Sequence, residues 1–408
     1  MNIMVINCGS SSLRFKLFDM ESSYTLLADG LIEKIGKERS IFKYKSKRMK
    51  KDTELVREIQ VKDHSKAVAL VTKTLLDPKI GIYKDKIVLD AVGHRVVHGG
   101  EEFSKSALIT KGVKEVIQSC VELAPLHNPP NLMGIRACEA AFPGVPQVAV
   151  FDTAFHQTMK KQAYIYGLPY ELYERYHIRK YGFHGSSHEY VSQKAAIILK
   201  KDIRKLKIIT CHLGNGASIA AVKGGLSVDT SMGMTPLEGL VMGTRTGDMD
   251  PAVVTFLMKK EHLGPDEMEK LLNKKSGLRG ISGVSNDLRE IMEAAEHGNN
   301  RAQIAIDIFC YRITKYIGSY AAAMGGVDAV VFAGGIGENA VDVRSKVLAP
   351  LGFMGIKIDE LKNRSKEKEK IISAPNSRVK AMVVATNEEL MIAMKTKSIV
   401  SESNYMYR

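Results

Sequence analysis

Four polar side chains stand in positions suited to chemistry, three of them in glycine-flanked segments. Arg95 lies within Gly93-His94-Arg95-Val96-Val97-His98-Gly99-Gly100, after an apolar run at 87–92. Asp152 follows the apolar run 147–151 in Phe151-Asp152-Thr153-Ala154-Phe155-His156, and His184 sits in Gly182-Phe183-His184-Gly185-Ser186-Ser187-His188. Arg245 occupies Gly243-Thr244-Arg245-Thr246-Gly247-Asp248. A guanidinium grips carboxylate or phosphate bidentately. Three small-residue turns, Asn7–Ser12, His212–Gly216 and Gly334–Asn339, would let backbone N–H groups approach an anion closely. Two Arg, one His, one Asp and three such turns fit phosphoryl transfer. That transition state needs positive charge around its equatorial oxygens, a divalent metal and an in-line acceptor. No Ser-His-Asp or Cys-His set is evident. His184 and His188 have the spacing of a metal pair, but the preferred reading puts His188 at the opening of a helix.

The phosphate site is not a P-loop, because no G-x-x-x-x-G-K-[ST] occurs. Gly335-Ile336-Gly337-Glu338-Asn339-Ala340 does match G-x-G-x-x-A, and Asp359 follows at the spacing of a ribose-binding acid. A dinucleotide fingerprint normally opens its domain, whereas this one lies late in the chain. It would also leave the other two glycine turns unexplained.

The elements that must carry these residues alternate between strand and helix. Ile3–Ile6, the small-residue turn and Leu13–Phe18 read as strand, turn, strand, and so do Lys207–Cys211, His212–Ala217 and Ser218–Val222. Asn7-Cys8-Gly9 lies over His212-Leu213-Gly214, half the chain apart, which suggests an internal duplication. Further strands are expected at 87–92, 147–151, 329–333 and 379–385. Helices are expected at 65–76, 188–199, 251–259, 301–324 and 389–397. Prolines at 125–130 and 143–146 read as loops. The pattern is that of α/β layers.

A length of 408 residues, 45% hydrophobic and 25% charged, excludes a disordered chain and a disulfide-rich miniprotein. No apolar stretch reaches the roughly 18–20 residues of a membrane helix, and no signal-peptide pattern opens the chain. Cys8, Cys120, Cys138, Cys211 and Cys310 form no C-x-x-C pair, so reduced thiols and a cytoplasmic location are expected. The net charge of +14 concentrates at Lys43–Lys51 and Lys357–Lys370. No nucleic-acid-binding motif accompanies it, and a solvated lysine-rich surface is the preferred reading.

Ile3 to Leu13 and His212 to Ser218 resemble the two signatures of the acetate kinases, a family within the acetate and sugar kinase, Hsp70 and actin superfamily. The resemblance runs from Asn7 to Glu388 and includes the four loops above and Gly334-Gly335-Ile336-Gly337-Glu338-Asn339. It implies two duplicated ribonuclease-H-like (actin-like ATPase) domains with a cleft between them. Residues 1–150 would form the acyl- and phosphate-binding domain, with the C-terminal helix 389–408 packing back on it. Residues 151–388 would bind nucleotide.

It further implies Mg²⁺-dependent, reversible, direct in-line transfer from ATP to acetate, giving acetyl phosphate and ADP, by a homodimer, with Mn²⁺ as an alternative ion. Arg95 would bind the carboxylate and the transferring group. Asp152 would position Arg95, metal and water, and His184 and Arg245 would stabilise the transition state. Asn7 and Glu388 would hold the metal. Val97, Leu126, Phe183 and Pro236 would wall the methyl group, and Val97, bulkier than the alanine typical of propionate kinases, would favour acetate. His212, Leu213, Gly214, Asn215, Gly216, Asp287, Leu288, Arg289, Gly335, Ile336, Gly337, Glu338 and Asn339 would bind nucleotide, with Gly335 leaving room for adenine. Arg14 stands where the family usually has Lys; it keeps the charge for phosphate contact but changes the geometry. The alternatives are another short-chain acyl kinase, an actin-like ATPase, an NAD-dependent dehydrogenase built on Gly335–Ala340, and a nucleic-acid binder driven by the positive charge.

Overall fold

A computed structural model of the chain describes residues 1–21, 24–50 and 53–406; Lys51 and the last two residues of the expected terminal helix lie outside them. Two compact units result. The first is Met1–Phe155 joined by the segment from Asn387 onward, and the second is His156–Thr386.

The first unit is built on strands β1 (Asn2–Gly9), β2 (Ser12–Asp19), β3 (Thr25–Glu33), β4 (Ser40–Ser46), β5 (Leu55–Ile59), β6 (Ala91–Val96), β7 (Ala107–Leu108) and β8 (Gln147–Phe151). Their spatial order is β5-β4-β3-β2-β1-β6-β8-β7. The first five run antiparallel in succession, while β6 is parallel to β1 and β8 to β6. Side chains alternate across a strand. So Met4, Ile6 and Cys8 face one layer, with Val68, Val71 and Leu75 of the helix His64–Leu75 and Cys138 of the helix Asn128–Ala141. Ile3 and Val5 face the other, with Ile392, Ala393 and Val400 of the helix Glu388–Met406.

The second unit carries β9 (Lys207–Leu213), β10 (Ala217–Lys223), β11 (Leu226–Thr230), β12 (Ala329–Ala333), β13 (Lys370–Ile371) and β14 (Lys380–Val383), in the order β11-β10-β9-β12-β14-β13. Here β11, β10 and β9 are antiparallel, then β12 and β14 are parallel. The runs β3-β2-β1-β6-β8 and β11-β10-β9-β12-β14 therefore share one topology. This is the expected duplication of an actin-like ATPase domain. The 25-residue helix Asn300–Met324 and the helix Gly185–Leu199 pack on this second sheet.

Several local expectations are corrected. The strand read at 87–92 is shifted to Ala91–Val96, so Gly93, His94 and Arg95 are strand residues and not a loop after one. Any side chain at Gly93 would collide with Thr396 and Ile392, so glycine lets the C-terminal helix lie close on the strand. Prolines 129 and 130 do not mark a loop; they open the helix Asn128–Ala141, where a missing N–H costs nothing. The helix expected from His188 begins at Gly185, so His188 lies inside its first turn. Gly334–Asn339 is a short helix, not an open turn. The terminal helix starts at Glu388 and runs beyond 397. All five cysteines are buried free thiols, and among the described residues no helix is long and apolar enough to cross a membrane.

Candidate active site

In the first unit, β6 and β8 run side by side, and Arg95 pairs with Val150 in register. Asp152 is the residue after β8, its N–H donating to Val96 O at 2.9 Å. This adjacency lets Arg95 Nε donate to Asp152 Oδ1 at 3.1 Å and Oδ2 at 3.0 Å, while Nη2 donates to Oδ2 at 2.6 Å. Asp152 is 1% exposed. Burial alone would weaken the charge on Arg95, but the carboxylates of Asp152 and Glu388 more than reverse this and raise its pKa.

Glu388 opens the terminal helix. Burial pushes its carboxyl up to about 7, with Arg95 pulling down and Asp152 and Glu389 pushing up. Burial works the same way on the neighbouring Glu389, but Lys16 (3.0 Å) and Arg14 (3.2 Å) outweigh it and hold that carboxyl below its ordinary value. Arg14 also donates to Asp29 at 3.2 Å, so this guanidinium is engaged by two acids. Asn7 lies opposite it across the β1–β2 pair.

Asn7 and Glu388 are hard oxygen donors, and Glu388 is a carboxylate short of compensating charge. That chemistry suits Mg²⁺. Among the described residues no group of three or more His, Cys, Asp or Glu could hold a metal ion. The ion would therefore need water and phosphate oxygens to complete its shell. Val97 is buried, its N–H held by Asn131 Oδ1 at 3.0 Å, whereas Leu126 is exposed.

In the second unit, His184 takes a left-handed conformation (φ 57°) as the residue before the helix Gly185–Leu199. Its ring stacks on His212 with centroids 4.3 Å apart, and its Nδ1 lies 2.8 Å from Ser218 Oγ. His212 Nδ1 lies 2.7 Å from Ser187 Oγ. Arg245 Nη1 donates to Pro236 O at 3.0 Å and lies 3.6 Å from Met242 Sδ. Among the described residues it has no carboxylate partner, and burial lowers its pKa. A Cβ added to Gly216 would sit 3.5 Å from both Arg245 Nη1 and His184 Nε2, so these two polar ends face the same small space. Phe183 is buried and Pro236 half-buried.

A cavity of about 840 Å³ in this unit is lined by Gly214, Asn215, Asp287, Leu288, Arg289, Gly335, Ile336 and Asn339. Of the expected nucleotide residues, His212, Leu213, Gly216, Gly337 and Glu338 do not line it, and Arg14 belongs to the first unit. Glu338 turns its carboxylate to the N–H groups of Gly334 (3.0 Å) and Thr386 (3.1 Å), and so braces the short helix. The carbonyls of Gly337 and Glu338 accept from the buried Arg344 at 2.9 and 3.0 Å. Arg289 folds back on Asp287, which caps its helix by accepting from Arg289 N at 2.9 Å; these bonds hold the Asp287 carboxyl at about 2. A Cβ on Gly335 would meet nothing within 4 Å, so its small size leaves space in the cavity.

Sequence reasoning missed Met292 and Glu296 on the cavity wall, although they lie one and two turns beyond Leu288 on the same helix face. It also missed Asn286, whose Nδ2 donates to Asn215 at 3.1 Å.

The acetokinase family model matches residues 2–394. The acetate kinase of Halothermothrix orenii is 56% identical over 400 residues, spanning 98% of this chain and 100% of its own. The crystal structure of Porphyromonas gingivalis acetate kinase superposes with a TM-score of 0.93 at 50% identity, covering 98% of this chain and 99% of that one. A propionate kinase from Francisella tularensis superposes with a TM-score of 0.90 at 44% identity and the same coverage.

Proposed function

The chain belongs to the acetokinase family and has that family's reaction, ATP + acetate ⇌ acetyl phosphate + ADP; on that premise we propose how its residues divide the work. Arg95 binds the acetate carboxylate and the equatorial oxygens of the transferring phosphoryl group. Asp152 has both oxygens engaged by Arg95, and acetate at neutral pH has no proton to remove. Asp152 therefore orients Arg95 and is not a base. One acetate oxygen forms a bond to the γ-phosphorus as the bond to ADP breaks, in line and without a covalent enzyme intermediate.

The observation that carries this reading is Arg245, a half-buried guanidinium with no carboxylate partner among the described residues, sharing the space at Gly216 with His184. Such a cation is a receptor for an anion. Arg245 and His184 stabilise the phosphoryl group in transit. Gly214, Asn215, Asp287, Leu288, Arg289, Gly335, Ile336 and Asn339 hold the nucleotide, while His212, Leu213, Gly216, Gly337 and Glu338 shape the backbone behind it. Val97, Leu126, Phe183 and Pro236 select the acyl group. Arg14, tied to Asp29 and Glu389, meets phosphate only at longer range. Asn7 and Glu388 would hold Mg²⁺, or Mn²⁺ in its place, and the ion would neutralise phosphate charge. The working form is a cytoplasmic homodimer. The helix Ala252–Lys260, which buries no residue and exposes Val253 and Phe256, supports an oligomer.

The test is ADP formation with Mg-ATP and acetate, with hydroxylamine trapping acetyl phosphate. Arg95→Ala and Arg245→Ala should each lower turnover by roughly 10²–10³-fold. Acetate-independent ATP hydrolysis, untouched by either change, would overturn the reading. A propionate preference is the second reading, favoured by the Francisella tularensis structure; turnover on acetate, propionate and butyrate separates the two.

A further inference from the structure

Behind His184 runs a line of buried side chains with no part in the mechanism above. His184 Nδ1 lies 2.8 Å from Ser218 Oγ, and Ser218 Oγ lies 2.7 Å from His188 Nε2. His188 Nδ1 in turn lies 2.7 Å from Thr210 Oγ1. Ser218, His188 and Thr210 are each 0% exposed. We infer that Thr210, His188 and Ser218 form a proton-ordered relay that holds His184 with its proton on Nε2, the nitrogen that faces the space at Gly216 with Arg245, so that a neutral His184 donates a hydrogen bond to the transferring phosphoryl group.

The order follows from counting protons. Each of the three contacts needs one proton, and each hydroxyl has one to give. His188 is fully buried beside His156 and His212, and burial keeps it neutral, so it carries a single N–H. Two consistent orders exist.

In one, His188 Nδ1–H donates to Thr210. Thr210 must then send its own proton to Ala220 O at 3.5 Å, a contact too long to satisfy a buried donor. In the other, Thr210 donates to His188 Nδ1, His188 Nε2–H to Ser218, and Ser218 to His184 Nδ1. Every proton then has an acceptor at 2.7–2.8 Å. Only this second order leaves the proton of a neutral His184 on Nε2, facing the space it shares with Arg245. The separate contacts of His212 with Ser187, and of Ser187 with Thr386 at 2.8 Å, hold the ring on which His184 stacks. Ser218, His188 and Thr210 are thus positioning residues, acting through His184.

The inference rests on the proposed role of His184, but its first test does not need activity. Full-length enzyme labelled with ¹⁵N is examined by long-range ¹H–¹⁵N correlation, with the two rings assigned from His184→Gln and His188→Gln. In both rings Nδ1 should show the shift of an unprotonated nitrogen and Nε2 that of a protonated one. A proton on His184 Nδ1 in the unliganded enzyme overturns the relay. In kinetics, Ser218→Ala should lower kcat by about tenfold or more with the KM for ATP and acetate little changed. Ser218→Thr, which keeps the hydroxyl, should restore most of the loss. Parental kcat in Ser218→Ala also overturns the inference. If Ser218→Ala does not fold, the spectrum of the unsubstituted enzyme decides. If the enzyme shows no acetate-dependent turnover, the functional reading falls while the tautomer result still stands or fails alone.

Discussion

Arg95, on one strand, spans both carboxylate oxygens of Asp152, the residue that follows the adjacent parallel strand, and Asp152 is buried almost completely. Removing the cation alone strands a buried negative charge. Arg95→Ala should therefore cost about 3 kcal/mol of stability as well as activity. Arg95→Ala combined with Asp152→Ala should recover much of that stability and none of the activity. Urea unfolding of the three proteins measures this. A double variant no more stable than the single would show that the ion pair is not what holds the site.

Glu388 gives the metal-free protein a pH signature of definite sign. Its carboxyl rises from an ordinary 4.5 to about 7 in the fold. Between these values the folded state keeps a proton that the unfolded chain has released. The contribution of Glu388 to stability is thus full below about 4.5, declines as pH rises toward 7 and is flat above. In Glu388→Gln that decline should vanish, leaving the variant more stable than its parent at pH 8. Parallel stability curves for the two, measured in EDTA, would contradict the assignment.

Two adjacent glycines should respond in opposite ways. Gly335 has open space where a side chain would go, so Gly335→Leu should fold normally and raise the KM for ATP roughly tenfold or more by filling the cavity. Gly334 has φ +76° and a Cβ position 2.7 Å from Leu213 O. Gly334→Ala should destabilise the protein by roughly 1–3 kcal/mol. Thermal melts and ATP titrations separate these effects, and a Gly335→Leu enzyme with parental KM would remove the residue from the nucleotide site.

Val97 offers the acyl test. Val97→Ala should shift kcat/KM toward propionate over acetate by about tenfold, since one methylene is worth roughly 1–3 kcal/mol. An unchanged ratio would take Val97 out of the acyl wall.

The strand and helix alternation was legible because the central strands are continuous apolar runs and the long helices keep their period. What escaped depends on distant partners. The pattern puts the strand carrying Arg95 four residues early because Ile87 and Leu89 look like strand and Gly93 does not. Ile87 and Leu89 pack on the core from outside the strand, and glycine is needed at 93 because Ile392 and Thr396 arrive from some three hundred residues away. The Gly-Ser-Ser start of the helix after His184 has poor helix propensity, and burial overrides it. Motifs singled out Arg95, Asp152, His184 and Arg245, but no spacing could reveal that Asp152 is saturated by Arg95, that Glu338 turns away from the cavity, or that Ser218 bridges two histidines.

The C-terminal helix has a consequence for how the protein is made. It covers Ile3, Val5, Ala91, Val148 and Val150, all of which leave the ribosome long before it does. The second unit is complete in sequence at Thr386, while the first still lacks its lid. A nascent chain therefore carries a finished later unit and an unfinished earlier one, with an apolar sheet face bare until the helix that starts at Glu388 emerges. A chain stopped near residue 386 should leave that face exposed and be cleared by proteases rather than accumulate as a half-active enzyme.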